Sequence, residues 1–257
     1  MTASTTAALR AALIAETDAL ADLLREADPA TPIPTCPGWT LADLATHVGR
    51  GQRWVAAMIT DRATEELDMR AVPDGARPKD PEAAARWLSE AARLLLTAIE
   101  ETDADIPVWT TLGTPQPTHW WLRRLTHEVT VHRADALLAL GRPVTIEPAL
   151  AADAICESLD VLSIVLARRA VTVLPDSTTL HLHATDPGLG TDGEWTIRSS
   201  GPSIAWEHAH TKATTAMRAS AATLLLTLMG RIRPDDPELE ILGEPTVLTH
   251  WLEHAPF

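Results

Sequence analysis

The chain has 257 residues, of which 46% are hydrophobic and 22% are charged, as in an ordinary globular protein of one or two domains. The formal net charge of −14 excludes nucleic acid and anionic membrane surfaces as expected partners, because no basic field is present to attract phosphates. No apolar run approaches the roughly 20 residues that span a bilayer, and the N-terminal residues lack the pattern of a signal peptide. With only Cys36 and Cys156, which cannot form a disulfide framework, we expect a cytoplasmic protein.

The first half of the sequence is predicted to be helical, because apolar residues recur at helical period between clusters of proline and glycine. Thr40 and Asp43 form the pattern of a capping box at the start of the second helix. Thr118 is expected to cap the fourth helix, which Gly141 ends. A polar loop is expected over residues 60–79, and the predicted helices cover residues 5–25, 40–59, 80–100 and 118–140. They indicate a four-helix bundle, in which metal sites are built from side chains on facing helices.

The second half of the sequence changes character. After a helix at residues 148–170, residues 178–184 alternate polar and apolar side chains as a strand does. Further strands are predicted at residues 194–198, 203–208, 213–217 and 239–242, and further helices at residues 220–229 and 245–253. The pattern predicts an α+β protein, with a four-helix bundle at residues 1–146 and a small C-terminal α+β domain at residues 147–257.

Glu128 and His132 lie four residues apart in the fourth predicted helix, so their side chains share one face. His47, in the second predicted helix, offers another imidazole. Two histidines and one glutamate form a known ligand set of catalytic zinc, with one coordination position left open. The same spacing is common on solvated helix faces, but apolar neighbours place this trio near a core, where polar groups need partners. A metal site at His47, Glu128 and His132 is therefore one interpretation, and a solvated polar face is the other.

Two carboxylates are candidates to orient these imidazoles. Asp43 lies one turn before His47, and Asp135 lies three residues after His132. Either could accept the second imidazole N–H and fix the tautomer that binds a metal. Asp43 has capping as its alternative role, and the alternative for Asp135 is a surface position facing a nearby arginine.

Other histidines form weaker candidates. His250 and His254 are also four residues apart, but they lie beside the C-terminus, where helices fray, so no functional role is expected. Two further pairs each share one strand face: His181 with His183, and His208 with His210. Both pairs are expected on a solvated face of the sheet, unless one of these histidines lines a cleft.

Cys36 lies in a Thr-Cys-Pro-Gly-Trp turn at residues 35–39. It has no partner cysteine, and the turn offers no obvious base, so a structural role is expected rather than a nucleophilic one. No G-x-S-x-G, P-loop or G-x-G-x-x-G motif is present.

Two motifs in order carry a family resemblance. The first is Thr-Cys-Pro-Gly-Trp-Thr-Leu-Ala-Asp-Leu-Ala-Thr-His at residues 35–47, and the second is His-Glu-Val-Thr-Val-His-Arg-Ala-Asp at residues 127–135. Residues 216–231 and the last strand and helix resemble the C-terminal signature of the same family. Together they resemble the mycothiol-dependent maleylpyruvate isomerase family, one of the DinB-like metal-binding helix bundles. The resemblance covers nearly the whole chain.

The resemblance implies a zinc ion, or another divalent metal, bound by His47, Glu128 and His132. It also implies a C-terminal domain similar to sterol-carrier folds and a catalytic or binding role for Arg218, although Ala219 stands where the family usually has glycine. The cosubstrate would be mycothiol, a low-molecular-weight thiol, which adds to a small electrophile. The reaction would be either cis–trans isomerisation or S-transfer.

A non-catalytic protein of the DinB-like class, which binds a metal or ligand without turnover, is the alternative to an enzyme. A structural bundle without a metal is a third reading. The sequence contains no signal for an oligomeric state.

Overall fold

The computed structural model describes residues 3–103 and 105–255, and these residues form an α+β protein, as predicted. The outermost residues of the two predicted domains, 1–2 and 256–257, lie outside the described residues. The chain divides into two compact units, of which the first ends at Val144 and the second begins at Thr145. Within the described ranges, no helix is long and apolar enough to cross a bilayer.

Over its described residues, the first unit is built from four helices around an apolar core. Helix α1 packs against α3 and α4, and α2 packs against α3 and α4. Their bounds are α1 Ala3–Glu26, α2 Leu41–Thr60, α3 Pro81–Glu101 and α4 Thr118–Ala139. Fully buried leucines from each of these helices form the centre of the core, among them Leu13, Leu20, Leu44, Leu88, Leu95 and Leu122. Burial of this surface stabilises the bundle by roughly 25 cal/mol per Å².

The start of α2 agrees with the predicted capping box. Thr40 is the N-cap; its hydroxyl accepts from the Asp43 backbone N–H, and the Asp43 carboxylate accepts from the Thr40 backbone N–H at 2.9 Å. Helix α3 likewise begins with Asp80 as its N-cap and Pro81 in the first turn. These local signals fix where both helices begin.

The predicted cap of α4 is wrong. Thr118 is the first residue of the helix, Pro117 occupies the N-cap position, and no side chain caps the helix there. The cause is a two-residue antiparallel pairing of β1 Pro107–Val108 with β2 Gln116–Pro117, which holds the chain extended up to Pro117. A contact between distant residues therefore overrides the local preference of threonine.

Gly49 of α2 lies directly against the Trp87 ring of α3. A Cβ at this position would lie 2.3 Å from Cζ3 of the Trp87 ring, which is too close for any unrearranged packing. The Arg53 guanidinium stacks 4.4 Å from the centroid of the same ring, and its Nη2 donates to the Trp87 carbonyl at 2.7 Å. The close contact holds α2, and with it His47, against α3.

Tryptophan N–H groups fasten the long connection between α2 and α3. Trp54 Nε1 donates to the Leu67 carbonyl at 2.7 Å, and Trp87 Nε1 donates to the Asp74 carbonyl at 2.7 Å. A single 3₁₀ turn, Met69–Ala71, lies in this predicted loop. The indole rings thus fill the core with their apolar bodies while their polar ends satisfy loop carbonyls.

The second unit is a mixed sheet with helices. Its strand order is β5–β4–β3–β6–β7; β3 and β6 run parallel, and the other neighbours are antiparallel. The strands are β3 Thr179–Ala184, β4 Glu194–Ser200, β5 Ser203–Glu207, β6 Thr215–Ala219 and β7 Glu240–Gly243. The helices are α5 Pro148–Arg169, α6 Ala221–Leu228 and α7 Pro245–His254.

Strand β6 begins and ends two residues later than predicted. It pairs in parallel with β3 until Ala219, and Ser220 then caps α6 by accepting from the Thr223 backbone N–H. The parallel register set by β3, rather than the local sequence, decides these bounds. As a result Arg218 lies within the strand.

One face of this sheet is apolar and the other polar. Leu180, Leu182, Trp195 and Met217 are buried, and α6 packs against β3 and β6. The polar face was expected to be solvated, but this expectation is wrong for His181, which is only 4% exposed.

Candidate metal centre

The structure brings His47, Glu128 and His132 together. His47 projects from α2, and Glu128 and His132 project one turn apart from the facing helix α4. His47 Nε2 lies 2.9 Å from Glu128 Oε1, and one ligand atom from each of the three residues lies within 4.8 Å of the other two. The arrangement depends on the packing of α2 against α4, so neither helix alone forms it.

The trio lies at the edge of the bundle core. Side-chain exposure rises from 12% for His132 and 21% for Glu128 to 38% for His47, so the cluster opens to solvent on the His47 side. The predicted apolar neighbours of the trio are all buried: Leu44, Val48, Leu125, Val129 and Val131. A small molecule can therefore approach a polar cluster that is otherwise backed by hydrocarbon.

Trp39 covers part of the cluster. Its ring centroid lies 4.9 Å from that of His47 and 6.2 Å from that of His132, and the two imidazole rings are 5.1 Å apart, nearly perpendicular. Trp39 is not among the residues that the sequence predicts for this site. The available signal was its position at the end of the proline-containing turn that leads directly into the helix of His47.

Asp135 orients His132. Its Oδ2 lies 3.0 Å from His132 Nδ1, and its side chain is fully buried. The carboxylate accepts, so Nδ1 carries the proton and Nε2 keeps a lone pair for a metal. The alternative of a surface position for Asp135 is therefore wrong.

Asp43 does not share this role. It is exposed, and its carboxylate accepts hydrogen bonds from the backbone and hydroxyl of Thr40. The hydrogen bonds from Thr40 lower the pKa of Asp43, so it stays ionised as part of the capping box. Of the two candidate orienting carboxylates, Asp135 alone contacts a ligand imidazole among the contacts of the described residues.

The Glu128 carboxylate is held in the charged form. Burial raises its pKa, but the hydrogen bond with His47 and the nearby charges of Arg124, His47 and His132 outweigh burial and lower the pKa from 4.5 to about 2. An ionised carboxylate beside two imidazoles is the protonation state that metal binding requires.

Cys36 lies closer to this site than the sequence indicates. Its Sγ is 3.5 Å from Asp135 Oδ2, and Cys36, His132 and Asp135 offer ligand atoms within 4.8 Å of one another. The carboxylate beside Cys36 comes from outside the turn, from a residue 99 positions away along the chain. The thiol donates to this carboxylate, a contact that agrees with a structural role.

The donors present fit a divalent metal. An imidazole nitrogen from each histidine and one carboxylate oxygen can converge on one ion, and zinc accepts this ligand set in catalytic sites with a fourth position for water or substrate. The bond from Asp135 to His132 adds the outer partner that such ligands usually have. The geometry thus supports metal binding at the predicted trio.

Among the described residues, the histidine pair near the C-terminus has no carboxylate close enough to complete a metal site. His250 is half-buried and His254 is exposed, and their rings stack at 4.1 Å. Each contacts a backbone carbonyl, and within the described residues no carboxylate joins them in a cluster that could hold a metal.

Arg218 lies in the other compact unit. It is on β6, with Nη1 3.4 Å from Glu240 Oε2, and both side chains are about half exposed. The structure brings the three predicted metal ligands together in the first unit and places Arg218 in the second.

Family models match both units. The model described as the Mycothiol maleylpyruvate isomerase N-terminal domain matches residues 10–137, and the one described as the MDMPI C-terminal domain matches residues 149–250. No match to a curated protein sequence reaches significance.

Solved structures show the same fold. The crystal structure of the mycothiol-dependent maleylpyruvate isomerase is similar, with a TM-score of 0.62 and 17% identity over 93% of this chain and 94% of that chain. A crystal structure of a histidine-to-alanine mutant of that isomerase has a TM-score of 0.59 and 16% identity, over 91% of this chain and 96% of that chain. At these identities the likeness is one of fold.

Proposed function

The chain belongs to the mycothiol maleylpyruvate isomerase family, and on that premise we propose that it is an enzyme that adds the thiol of mycothiol to a small electrophile. The observation that carries the proposal is the convergence of His47, Glu128 and His132 on one point at a solvent-accessible edge of the bundle. The proposed cofactor is a divalent metal. Two histidines and one glutamate favour zinc as that metal. When bound, zinc supplies the positive charge that lowers the pKa of a thiol in its open position.

The residues around the site prepare it for this chemistry. Asp135 holds the proton on His132 Nδ1, so Nε2 is available without a change of tautomer. Glu128 contributes a negative charge at neutral pH, and Trp39 shields the imidazoles from bulk water on one side. The exposed edge of His47 leaves a path for a thiol substrate to enter.

The proposed reaction conserves electrons. The mycothiol thiolate adds to one carbon of a cis alkene conjugated to a carbonyl, and the electron pair of the double bond moves onto the carbonyl oxygen. Rotation about the new single bond and expulsion of the thiolate give the trans alkene and return the thiol. If the adduct is protonated instead of expelling the thiolate, the product is a conjugate, so the same activation supports S-transfer.

Arg218 is proposed to bind the carboxylate of the electrophile. Its contact with Glu240 is long, at 3.4 Å, and half-exposed. Breaking this ion pair therefore costs little free energy, and a substrate carboxylate can take the place of Glu240. A guanidinium can hold a carboxylate through two parallel hydrogen bonds. We expect Arg218→Lys to raise KM for a carboxylate substrate and Arg218→Ala to raise it further, with metal content unchanged in both.

Metal content tests the site. Elemental analysis of the purified protein is expected to show one equivalent of metal fewer in His47→Ala and in Glu128→Gln than in the wild type. His119→Ala, on the same helix as Glu128 but outside the cluster, is the matched control and should keep the wild-type content. Equal metal content in all four proteins would refute the site.

Turnover tests the reaction. The zinc-loaded enzyme is incubated with maleylpyruvate and mycothiol, or with glutathione in its place, and the products are separated by chromatography. A trans product that depends on mycothiol supports isomerisation, and a thioether supports S-transfer. Metal binding without either product supports the alternative of a non-catalytic binding protein.

A further inference from the structure

A second cluster of ligating side chains lies on the polar face of the sheet in the second unit. The Glu194 carboxylate is surrounded by imidazoles: His181 Nε2 lies 2.7 Å from Oε2, His183 Nδ1 lies 3.0 Å from Oε1, and His210 Nδ1 lies 3.0 Å from both oxygens. Ligand atoms of His181, Glu194 and His210 all lie within 4.8 Å of one another. The proposed isomerase chemistry uses none of these residues.

Sheet register assembles this cluster. His181 and His183 alternate with the core residues Leu180 and Leu182 along β3, so both imidazoles emerge on the polar face. Glu194, the first residue of β4, pairs directly across the antiparallel ladder with His183. Three of the four side chains therefore lie on strands of the sheet, and only His210 lies outside them.

The segment after β5 brings His210. Thr196 Oγ1 donates to the Ala209 carbonyl at 3.0 Å and lies 2.7 Å from Thr211 Oγ1, so one strand residue fastens the chain on both sides of His210. His210 itself is 73% exposed, and a cavity of about 390 Å³ borders it and Glu194. An ion in solvent can therefore reach the cluster.

The side chains of this cluster are of the types that bind zinc. Imidazole nitrogens and carboxylate oxygens are both ligands that zinc accepts in proteins.

We propose that His181, Glu194 and His210 form a second divalent-metal site and that it binds Zn²⁺. Bonds of about 2.0–2.1 Å in a tetrahedral site place neighbouring ligand atoms about 3.3 Å apart. The nitrogen–oxygen distances of 2.7 and 3.0 Å need to open by only a few tenths of an ångström, which a turn of the Glu194 carboxylate provides.

The parts of the unit that the site connects give it a structural role. His181 lies on β3, Glu194 is the first residue of β4, and His210 lies in the segment after β5. A bound ion would join these three parts of the second unit. Zinc is therefore expected to raise the melting temperature of the second unit.

The test uses the full chain with the first site disabled, so that it does not depend on the proposed enzyme activity. The variant His47→Ala/His132→Ala is stripped with chelator and titrated with Zn²⁺ by calorimetry. One equivalent is expected to bind, and adding Glu194→Gln or His210→Ala should weaken it at least tenfold. Because His210 is exposed, its truncation leaves the core intact, and circular dichroism verifies the fold of each variant.

His208→Ala is the matched control in the same segment, since His208 Nδ1 contacts the backbone carbonyl of Glu194 rather than its carboxylate. It should bind zinc as its parent does. Two outcomes overturn the proposal: a first-site variant that binds no zinc, or one whose zinc binding is the same after Glu194→Gln and His210→Ala. If the wild type binds no more zinc than the His47→Ala/His132→Ala variant, the first site binds none. That result would refute the proposed function and would not affect the proposal for the second site.

Discussion

Replacing Asp135 with asparagine perturbs the orientation of His132 without changing the size of the side chain. The carboxylate lies 3.0 Å from His132 Nδ1 and is fully buried, so water cannot substitute for it. The asparagine amide has no charge and can donate to Nδ1 as well as accept from it, which releases the tautomer that leaves Nε2 free.

We expect Asp135→Asn to bind Zn²⁺ at the first site about 10- to 100-fold more weakly, the usual effect of removing such an outer partner. That factor corresponds to about 1.4–2.7 kcal/mol in binding free energy. Affinity is measured at pH 7 by competition with a chromophoric chelator, in a His210→Ala background so that the second cluster does not contribute.

Asp43→Asn is the matched control, because Asp43 is spaced from His47 much as Asp135 is from His132 but caps α2 instead. This control is expected to lose up to about 1 kcal/mol of stability and to keep its zinc affinity. Unchanged affinity in Asp135→Asn, or equal weakening in both variants, would refute the assignment of Asp135 as the orienting residue.

Three further predictions concern stability, each measured by urea unfolding. Gly49→Ala is expected to destabilise, since overlap with the tryptophan of α3 costs about 1–3 kcal/mol against about 1 kcal/mol of helix propensity, whereas Gly51→Ala, where a Cβ meets nothing within 4 Å, should stabilise. Arg133→Met should cost about 1–3 kcal/mol because it removes the two hydrogen bonds that the half-buried Glu16 carboxylate accepts, and adding Glu16→Leu should recover most of the loss. In the metal-free protein, the lowered pKa of Glu128 means that its stabilising contribution, at most about 3 kcal/mol, is complete above pH 4.5 and is lost as pH falls towards 2; the excess stability over Glu128→Gln should therefore shrink between pH 5 and pH 3.

The helix starts of the first unit illustrate which features a sequence reveals. The capping box of Thr40 and Asp43 is confirmed because both partners lie within one turn, so the signal is local. The cap expected at Thr118 is wrong because Pro107 pairs with Pro117 and keeps the chain extended to the edge of the helix. Pairing across ten residues leaves no pattern in either segment.

The cluster of His47, Glu128 and His132 could be predicted in part for the same reason. The spacing of Glu128 and His132 places them on one helix face whatever the rest of the chain does. Which carboxylate orients which histidine depends on burial, because Asp43 and Asp135 have similar spacings and only packing makes one exposed and the other buried.

The cluster around Glu194 could not be predicted from the sequence. Alternation places His181 and His183 on one strand face, but a solvated face shows the same alternation. The decisive information is the register of β3 against β4, which sets Glu194 opposite His183, and the path of the chain that returns His210 to the same point.

The two clusters differ in where their ligands lie. At the first, two imidazoles and one carboxylate come from helices, and the 38% exposure of His47 marks the side from which a thiol is proposed to reach a bound metal. At the second, two imidazoles and one carboxylate come from two strands and the segment after β5, so a bound ion would join three parts of one unit. Under the proposed function, the thiol chemistry is therefore assigned to the helical unit and a structural role is assigned to the sheet cluster.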